Sequence, residues 1–132
     1  MQFTRHTDYA LRLLIYLAGL TDRRASIAEV AEAQDISRTH LMKIANALAH
    51  AGFIEATRGR GGGIRLARPA DQINLGALIR TTEPRCGLVD CTDCRLVRRC
   101  RLPSILDKAS AAFDQVLGAH TLADVVAGKT LA

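Results

Sequence analysis

The sequence predicts a mainly α-helical fold with a small two-stranded sheet and a long C-terminal helix. Three observations predict it: capped, periodic helical segments over residues 9–49, two short β-rich runs around a glycine-rich segment, and a long apolar stripe after residue 102. Helix, turn, helix and then a hairpin is the pattern of a winged helix-turn-helix. The chain has 132 residues and is 48% hydrophobic, which is enough to bury one core.

The first two helices are predicted from burial and capping signals. Residues Tyr9–Leu20 are apolar nearly all round, which indicates a helix buried on several sides, with Thr7 or Asp8 as its N-cap. The Ser-x-x-Glu pattern of Ser26–Glu29 is a capping box and predicts a second helix that runs to about Gln34.

A third helix is predicted after a tight turn at residues 35–37. Ser37 is its predicted N-cap, and the helix covers Arg38–Ala49. Its buried stripe follows the i, i+3, i+4, i+7 spacing and consists of Leu41, Ile44, Ala45 and Leu48. Gly52 is predicted to end the helix as a C-terminal cap.

Two short strands are predicted to form the wing. They cover Phe53–Thr57 and Ile64–Ala67, and the basic, glycine-rich segment Arg58–Gly63 joins them. Pro69 stops the second strand because proline has no N–H to donate to a sheet.

The remainder of the chain is predicted to hold a short helix, a cysteine-rich loop and a long helix. The short helix covers Leu75–Thr82 behind an Asn74 cap, and a last capped helix begins at Thr121–Asp124. The long helix carries apolar residues at alternating spacings of three and four, typical of a seam between paired helices. This stripe consists of Leu102, Ile105, Leu106, Ala109, Phe113, Val116 and Leu117. The predicted units are a helix-turn-helix head at 1–83, a cysteine-rich loop at 84–101 and a dimerisation helix with a C-terminal segment at 102–132.

Positive charge is concentrated in the head. The formal net charge is +5; residues 1–70 hold ten Lys and Arg against six Asp and Glu, whereas residues 71–132 hold eight against seven. A basic head beside a nearly neutral remainder favours a polyanion-binding module, although ordinary solubilising charge gives the same composition.

Two groups of side chains indicate double-stranded DNA as the polyanion. The third helix carries polar residues opposite its buried stripe and near its N-terminus, the end that helix-turn-helix proteins insert. Arginines surround the glycine-rich wing tip, where they suit a minor groove. A solvated polar face explains either group alone, but the two together favour DNA. The predicted contacts are Ser37, Arg38, Thr39, His40, Lys43, Arg58, Arg60 and Gly61.

No enzymatic chemistry is indicated. The glycine-rich segment fits neither G-x-G-x-x-G nor G-x-x-x-x-G-K-[ST] and links two strands, so a nucleotide site is only weakly supported. The sequence shows no nucleophile paired with a base, and its four histidines lack ligand spacing. The sequence therefore predicts a binding protein and not an enzyme.

The apolar run in the first helix is too short for a membrane span. It covers 12 residues and contains Arg12, whereas a span needs about 20 apolar residues, and no cleavage site follows it. We expect a cytoplasmic protein with no membrane partner, whose thiols are mostly reduced.

All four cysteines fall within residues 86–100, spaced C-x4-C-x2-C-x5-C. Several thiolates in one short loop need a cation to offset their repulsion, and Asp and Arg residues surround them. Zinc sites usually take paired ligands separated by a longer spacer, so the compact spacing favours an iron–sulfur cluster. Zinc and a thiol switch stay open as alternatives.

Four ordered segments of the chain resemble one known family. They are Met1–Arg12, Ile36–Ile44, Arg58–Leu66 and Thr121–Asp124. Together, and over essentially the whole chain, they resemble the winged-helix iron–sulfur regulators related to IscR and NsrR, most closely the NsrR-type nitric-oxide-sensing repressors.

This resemblance implies a homodimer, paired through the long C-terminal helix, that represses transcription at a palindromic operator. It further implies control by an iron–sulfur cluster, [4Fe-4S] or [2Fe-2S], with nitric oxide as the effector. In NsrR-like proteins the cluster is held by three cysteines and by an aspartate of the other subunit. The matching residues here are Cys91, Cys94, Cys100 and Asp8.

Two departures from the family pattern bear on this ligand set. The interval from Cys91 to Cys94 is shorter than the family usually shows, and Cys86 is additional, either as a replacement for Asp8 or Cys91 or as a bystander. No histidine closely follows Cys100, which argues against the IscR-like branch. The alternative functions are an iron or cluster-status regulator of the same fold, and a zinc-stabilised or thiol-redox DNA-binding protein.

Overall fold

The computed structural model describes residues 2–20, 22–84 and 87–126, so Cys86 and the last six residues lie outside the described part. The elements in chain order are α1 (Arg5–Ala18), α2 (Ile27–Gln34), α3 (Arg38–His50), β1 (Ile54–Thr57), β2 (Gly63–Leu66), a 3-10 turn (Ala70–Gln72), α4 (Leu75–Thr82), α5 (Leu102–Gly118) and α6 (Leu122–Val126). The predicted mainly α-helical fold with a two-stranded wing is confirmed.

The start of α1 was predicted wrongly. The helix begins at Arg5 and not at Tyr9, and its N-cap is Thr4, whose side chain accepts a hydrogen bond from the backbone N–H of Thr7. Neither Thr7 nor Asp8 is the cap. The cause is tertiary, because the carboxylate of Glu83 accepts the backbone N–H of Thr4 at 3.1 Å and holds the first turn in place.

The helix-turn-helix itself forms as predicted. Ser26 and Ser37 cap α2 and α3 by accepting the backbone N–H groups of Glu29 and His40 at 3.0 and 3.1 Å. Asp35, at φ 52°, makes the left-handed turn between them. The predicted stripe of α3 is its buried set: Leu41, Ile44, Ala45 and Leu48.

The end of α3 is a two-bond C-terminal cap. Gly52 takes φ 88° and donates its N–H to the carbonyl of Ala49 at 3.1 Å, while Phe53 donates to Leu48 at 2.9 Å. A side chain at Gly52 would be strained at this φ, which confirms the predicted role of this glycine.

The wing is an antiparallel hairpin whose register runs from Ile54↔Leu66 to Thr57↔Gly63. A third segment joins it, because the backbone of Ala25 exchanges both hydrogen bonds with Ile64, at 3.0 and 2.7 Å. The hairpin is therefore fastened to the segment that precedes α2, and its inner face, with Ile54 and Ile64, is buried in the core.

Helix α5 leaves much of its apolar stripe exposed. It packs on α4 at Gly76, where a Cβ would come within 2.9 Å of the Cα of Gly118, and Asn74 donates to the carbonyl of Gly118 at 2.8 Å. No residue of α5 is buried, and Ile105 and Val116 are 59% and 62% exposed. The predicted long helix is confirmed in extent. Four residues of its stripe are exposed, and the other three, Leu106, Phe113 and Leu117, are half-buried.

The lowered pKa of Glu29 predicts how the stability of the fold depends on pH. Its carboxylate accepts hydrogen bonds from Arg23 at 2.8 and 2.9 Å and from the Tyr16 hydroxyl at 2.6 Å, and these bonds lower the pKa of Glu29 from 4.5 to about 2. The stabilisation is therefore full above pH 4.5 and is lost as the pH falls through about 2. We expect Glu29→Gln to lower the free energy of unfolding by about 1 kcal/mol at neutral pH, because the pair is partly screened by solvent.

Urea unfolding of the wild type and of Glu29→Gln between neutral and acid pH measures this contribution. The free energies of unfolding of the wild type and of the variant should converge as the pH falls. A difference that stays constant down to acid pH would contradict the assignment to Glu29.

Candidate nucleic-acid interface and cysteine loop

The exposed face of α3 carries the predicted helix contacts. Arg38, Thr39 and Lys43 are exposed on the side opposite the buried stripe, and Ser37 sits at the helix N-terminus as its cap. The unpaired backbone N–H groups of a helix N-terminus favour a phosphate, so charge and geometry agree at this end of the helix. This face can contact the backbone and base edges of a DNA groove.

His40 differs from its neighbours because it is half-buried. Its ring lies 5.0 Å from the ring of Tyr9 in an edge-on arrangement with an interplanar angle of 62°. The residue therefore connects the first turn of α3 to α1, and no local sequence pattern predicts this contact between helices.

The wing tip is a tight glycine turn. Gly59 and Gly61 take φ 91° and 71°, and Gly62 donates its N–H to the carbonyl of Gly59 at 2.9 Å. Side chains are disfavoured at these φ values, so the turn depends on glycine and presents Arg58 and Arg60 to solvent.

The four wing arginines divide into two pairs. Arg58 and Arg60 are on the exposed tip, whereas Arg65 is paired with Glu55 at 3.0 Å and Arg68 lies 5.8 Å from the ring centroid of Phe53. The first pair keeps its charge available for a polyanion, and the second pair is engaged within the protein.

The part of the cysteine loop that the structure describes without a gap, residues 87–101, is a largely exposed chain of turns. Cys94 donates its N–H to the carbonyl of Cys91 at 3.3 Å, and Arg99 donates to Leu96 at 2.9 Å. Thr92 donates both its hydroxyl and its backbone N–H to Asp90, at 2.7 and 3.0 Å, which lowers the pKa of Asp90. The loop is thus held by local hydrogen bonds but contributes little to the hydrophobic core.

The cysteine thiols of this loop are suitable ligands for an iron–sulfur cluster, but they do not converge on one point within a single chain. Cys91 is half-buried, Cys94 and Cys100 are exposed, and all three are free cysteines. In the described ranges, no three His, Cys, Asp or Glu side chains converge on one point. The three thiols would have to be brought together, with a fourth donor, to hold an iron–sulfur cluster.

Asp8, the predicted fourth donor, borders an open cleft of about 430 Å³ at the start of α1. Arg12 binds both of its oxygens, with Nε 3.1 Å from Oδ1 and Nη2 3.2 Å from Oδ2. The guanidinium of Arg12 also lies 5.7 Å from the ring centroid of Tyr9. The i, i+4 spacing of Asp8 and Arg12 is the sequence signal from which this ion pair could have been found.

Glu83 connects the start of the cysteine loop to the start of α1. Its carboxylate accepts the Thr4 N–H at 3.1 Å, the Thr4 hydroxyl at 3.0 Å and the Thr7 hydroxyl. These bonds, first of all that from Thr7, lower the pKa of Glu83. The turn that carries Asp8 and the residue before Pro84 are therefore held together.

Comparison with known proteins identifies the family. The sequence profile of Rrf2, described as iron-dependent transcriptional regulators, matches residues 3–128. The chain belongs to the Rrf2 family. It is therefore a transcriptional regulator of the Rrf2 type, with the DNA-binding winged helix of that family.

Three solved structures resemble this Rrf2 chain over nearly its whole length. CymR (YrzC), the global cysteine regulator of B. subtilis, is 26% identical with a TM-score of 0.76, and the match covers 98% of both chains. IscR of T. potens is 25% identical with a TM-score of 0.78, over 96% of this chain and 86% of its own. A transcriptional regulator of Listeria innocua is 26% identical with a TM-score of 0.82, over 98% and 89%.

These matches confirm the predicted winged-helix fold and the predicted relation to IscR at the level of the family. All are regulators and none is described as an enzyme. The NsrR-type assignment, the cluster and nitric oxide stay predictions. Across the described part of this Rrf2 chain, every helix is too short or too polar to cross a bilayer.

Proposed function

We propose that this Rrf2-family regulator is a DNA-binding repressor whose operator affinity is controlled by an iron–sulfur cluster that responds to nitric oxide. One observation carries the proposal: a continuous series of contacts joins the candidate ligand Asp8 to the candidate recognition helix α3. Arg12 binds Asp8 and lies over the ring of Tyr9. Tyr9 in turn packs against His40 in the first turn of α3. A change at Asp8 is therefore physically connected to the helix that would read DNA.

The DNA-contacting part of the proposal uses the exposed polar face of α3 and the wing tip. Lys43 and the α3 N-terminus would contact bases and phosphates of a major groove, while Arg58 and Arg60 would enter the adjacent minor groove. The full set of proposed contacts is Ser37, Arg38, Thr39, His40, Lys43, Arg58, Arg60 and Gly61.

A homodimer is proposed from the outward stripe of α5. Helix α5 has 17 residues and exposes several apolar side chains to water, which is unfavourable. Pairing with a second copy of the helix would bury them in a dimer interface. Phe3 packs against Phe113 at 6.1 Å, so the segment before α1 touches this same helix. Two heads held in this way would read a palindromic operator, with half-sites set by the spacing of the two α3 helices.

Cys91, Cys94 and Cys100 would hold the cluster, with Asp8 of the partner subunit as the fourth ligand. When bound, the cluster supplies iron atoms that react with nitric oxide. Arg12 engages both oxygens of Asp8 within one chain, so ligation by Asp8 requires that this ion pair open. Asp8 can thus bind either Arg12 or the cluster, but not both at once. Which of the two it binds determines whether Arg12 stays in its position over the Tyr9 ring.

Anaerobic purification tests the proposal directly. The visible spectrum, iron and sulfide content would be recorded, and nitric oxide would then be titrated while binding to a palindromic promoter fragment is followed. A brown protein that loses its absorbance and its DNA affinity together is the expected result. A brown protein indifferent to nitric oxide would point to iron or cluster-status sensing, and a colourless, zinc-loaded one would make the cysteines structural.

A second candidate function is a regulator controlled by the redox state of its thiols. It is favoured by the exposure of Cys94 and Cys100 and by the similarity to CymR, which is named a cysteine regulator. This candidate requires that DNA affinity of the cluster-free protein change on treatment with a thiol oxidant and return with a reductant. Unchanged affinity under both treatments would eliminate it.

A further inference from the structure

An open cleft of about 810 Å³ lies between the end of α1, the segment before α2 and the wing, and four arginines line it. Three of them are engaged by the protein. Arg23 binds Glu29 at 2.8 Å and Arg65 binds Glu55 at 3.0 Å, while Arg68 stacks on an aromatic ring. The fourth is Arg24, which donates to the neutral hydroxyl of Thr57 at 2.5 Å. Within the described ranges no carboxylate lies at ion-pair distance from Arg24.

The fold places Arg24 at the root of the wing. Ala25 pairs with Ile64 at the edge of β2, and Arg24 then crosses over Gly63 to reach Thr57 on β1. The crossing needs glycine, because a Cβ at Gly63 would come within 2.6 Å of the carbonyl oxygen of Ala25 and 3.2 Å of the Cβ of Arg24. The residue is half-buried and its guanidinium is hydrogen-bonded to Thr57, so part of the entropy of ordering it in a complex is already lost.

We propose that Arg24 is a DNA-phosphate contact at the root of the wing, an inference that rests on the proposed DNA-binding function. Thr57 directly precedes Arg58, so Arg24 continues the positive charge of the wing tip along the hairpin. A wing whose tip enters a minor groove brings its root against the phosphates that border the groove. The bond to Thr57 uses one N–H of the guanidinium, and the other donors match a phosphate oxygen pair.

Titration of DNA binding against salt tests this contact. We expect Arg24→Ala to weaken binding to operator and to unrelated duplex alike, by roughly tenfold, and to reduce the slope of log affinity against log salt by about 1. Arg23→Ala is the matched control, since it removes the adjacent arginine, whose charge Glu29 already compensates. The control should leave the slope close to that of the wild type.

A second variant separates charge from fold. Arg24→Gln removes the charge but keeps a donor for the Thr57 hydroxyl, so it should show the same loss of slope with an unchanged thermal unfolding midpoint. If both Arg24 variants keep the wild-type slope while Lys43→Ala weakens binding, the inference is overturned and the proposed function stands. If the wild type itself shows no salt-dependent binding to DNA, the proposed function fails.

Discussion

Replacing both wing-tip arginines, Arg58 and Arg60, with alanine is expected to lower operator affinity by at least about 100-fold. Both side chains project from a turn built on glycine, and the described residues provide no ion-pair partner for either. Each would supply a charge-assisted contact worth about 1.5–3 kcal/mol, and loss of two phosphate or minor-groove contacts should also reduce the salt slope by roughly 2. Fluorescence anisotropy with a labelled palindromic duplex over a range of salt concentrations measures both quantities.

The matched control lies on the same hairpin. Replacing Arg65 and Arg68 with alanine removes the same formal charge, but Arg65 is paired with Glu55 and Arg68 is stacked on Phe53. We expect a loss of affinity several times smaller than that of the tip variant. Equal losses for the two double variants would mean that net charge alone, and not the wing tip, determines binding.

Local signals predicted most of the head correctly. The capping serines of α2 and α3 and the buried stripe of α3 depend on residues within one or two turns, so they are visible in the sequence. The start of α1 was missed because Glu83, 79 positions away, fixes it. The 3-10 turn at Ala70–Gln72 was missed as well, since Pro69 predicted only the end of a strand.

The residues of the candidate site could be named from the sequence, but the contacts between them could not. The exposed face of α3 follows from helical periodicity, which is why its polar residues could be named in advance. The packing of Tyr9 on His40 and the bond from Arg24 to Thr57 join segments 31 and 33 positions apart, and no local pattern encodes such contacts. Gathering of the cysteines cannot be deduced from one chain if the fourth ligand belongs to a second copy.

Replacing Cys94 with alanine is expected to remove the proposed cluster and its proposed control of operator binding completely. Cys94 is exposed in the middle of the loop and is one of the three proposed thiolate ligands, so its loss leaves only two of them for the cluster. Iron and sulfide content should fall to near zero, and operator affinity should no longer differ between reduced protein with and without nitric oxide.

Thr92→Ala is the control for Cys94→Ala. It breaks the turn bonded to Asp90, between Cys91 and Cys94, without removing a sulfur atom. This variant should keep most of its iron. If Cys94→Ala retains a full complement of iron and sulfide, Cys94 is not a ligand, and Cys86 would become the candidate for its place.

We expect Tyr9 to separate the proposed binding of the cluster from its proposed control of DNA binding. Tyr9→Leu keeps apolar bulk but removes the ring that lies between Arg12 and His40. We expect normal iron and sulfide content, with the ratio of operator affinities before and after nitric oxide falling from a typical allosteric value of about 5–150 towards 1. Tyr9→Phe keeps the ring and should preserve the ratio. If Tyr9→Leu responds fully to nitric oxide, the signal reaches α3 by another route, and the Glu83 contact with Thr4 and Thr7 is the next connection to test.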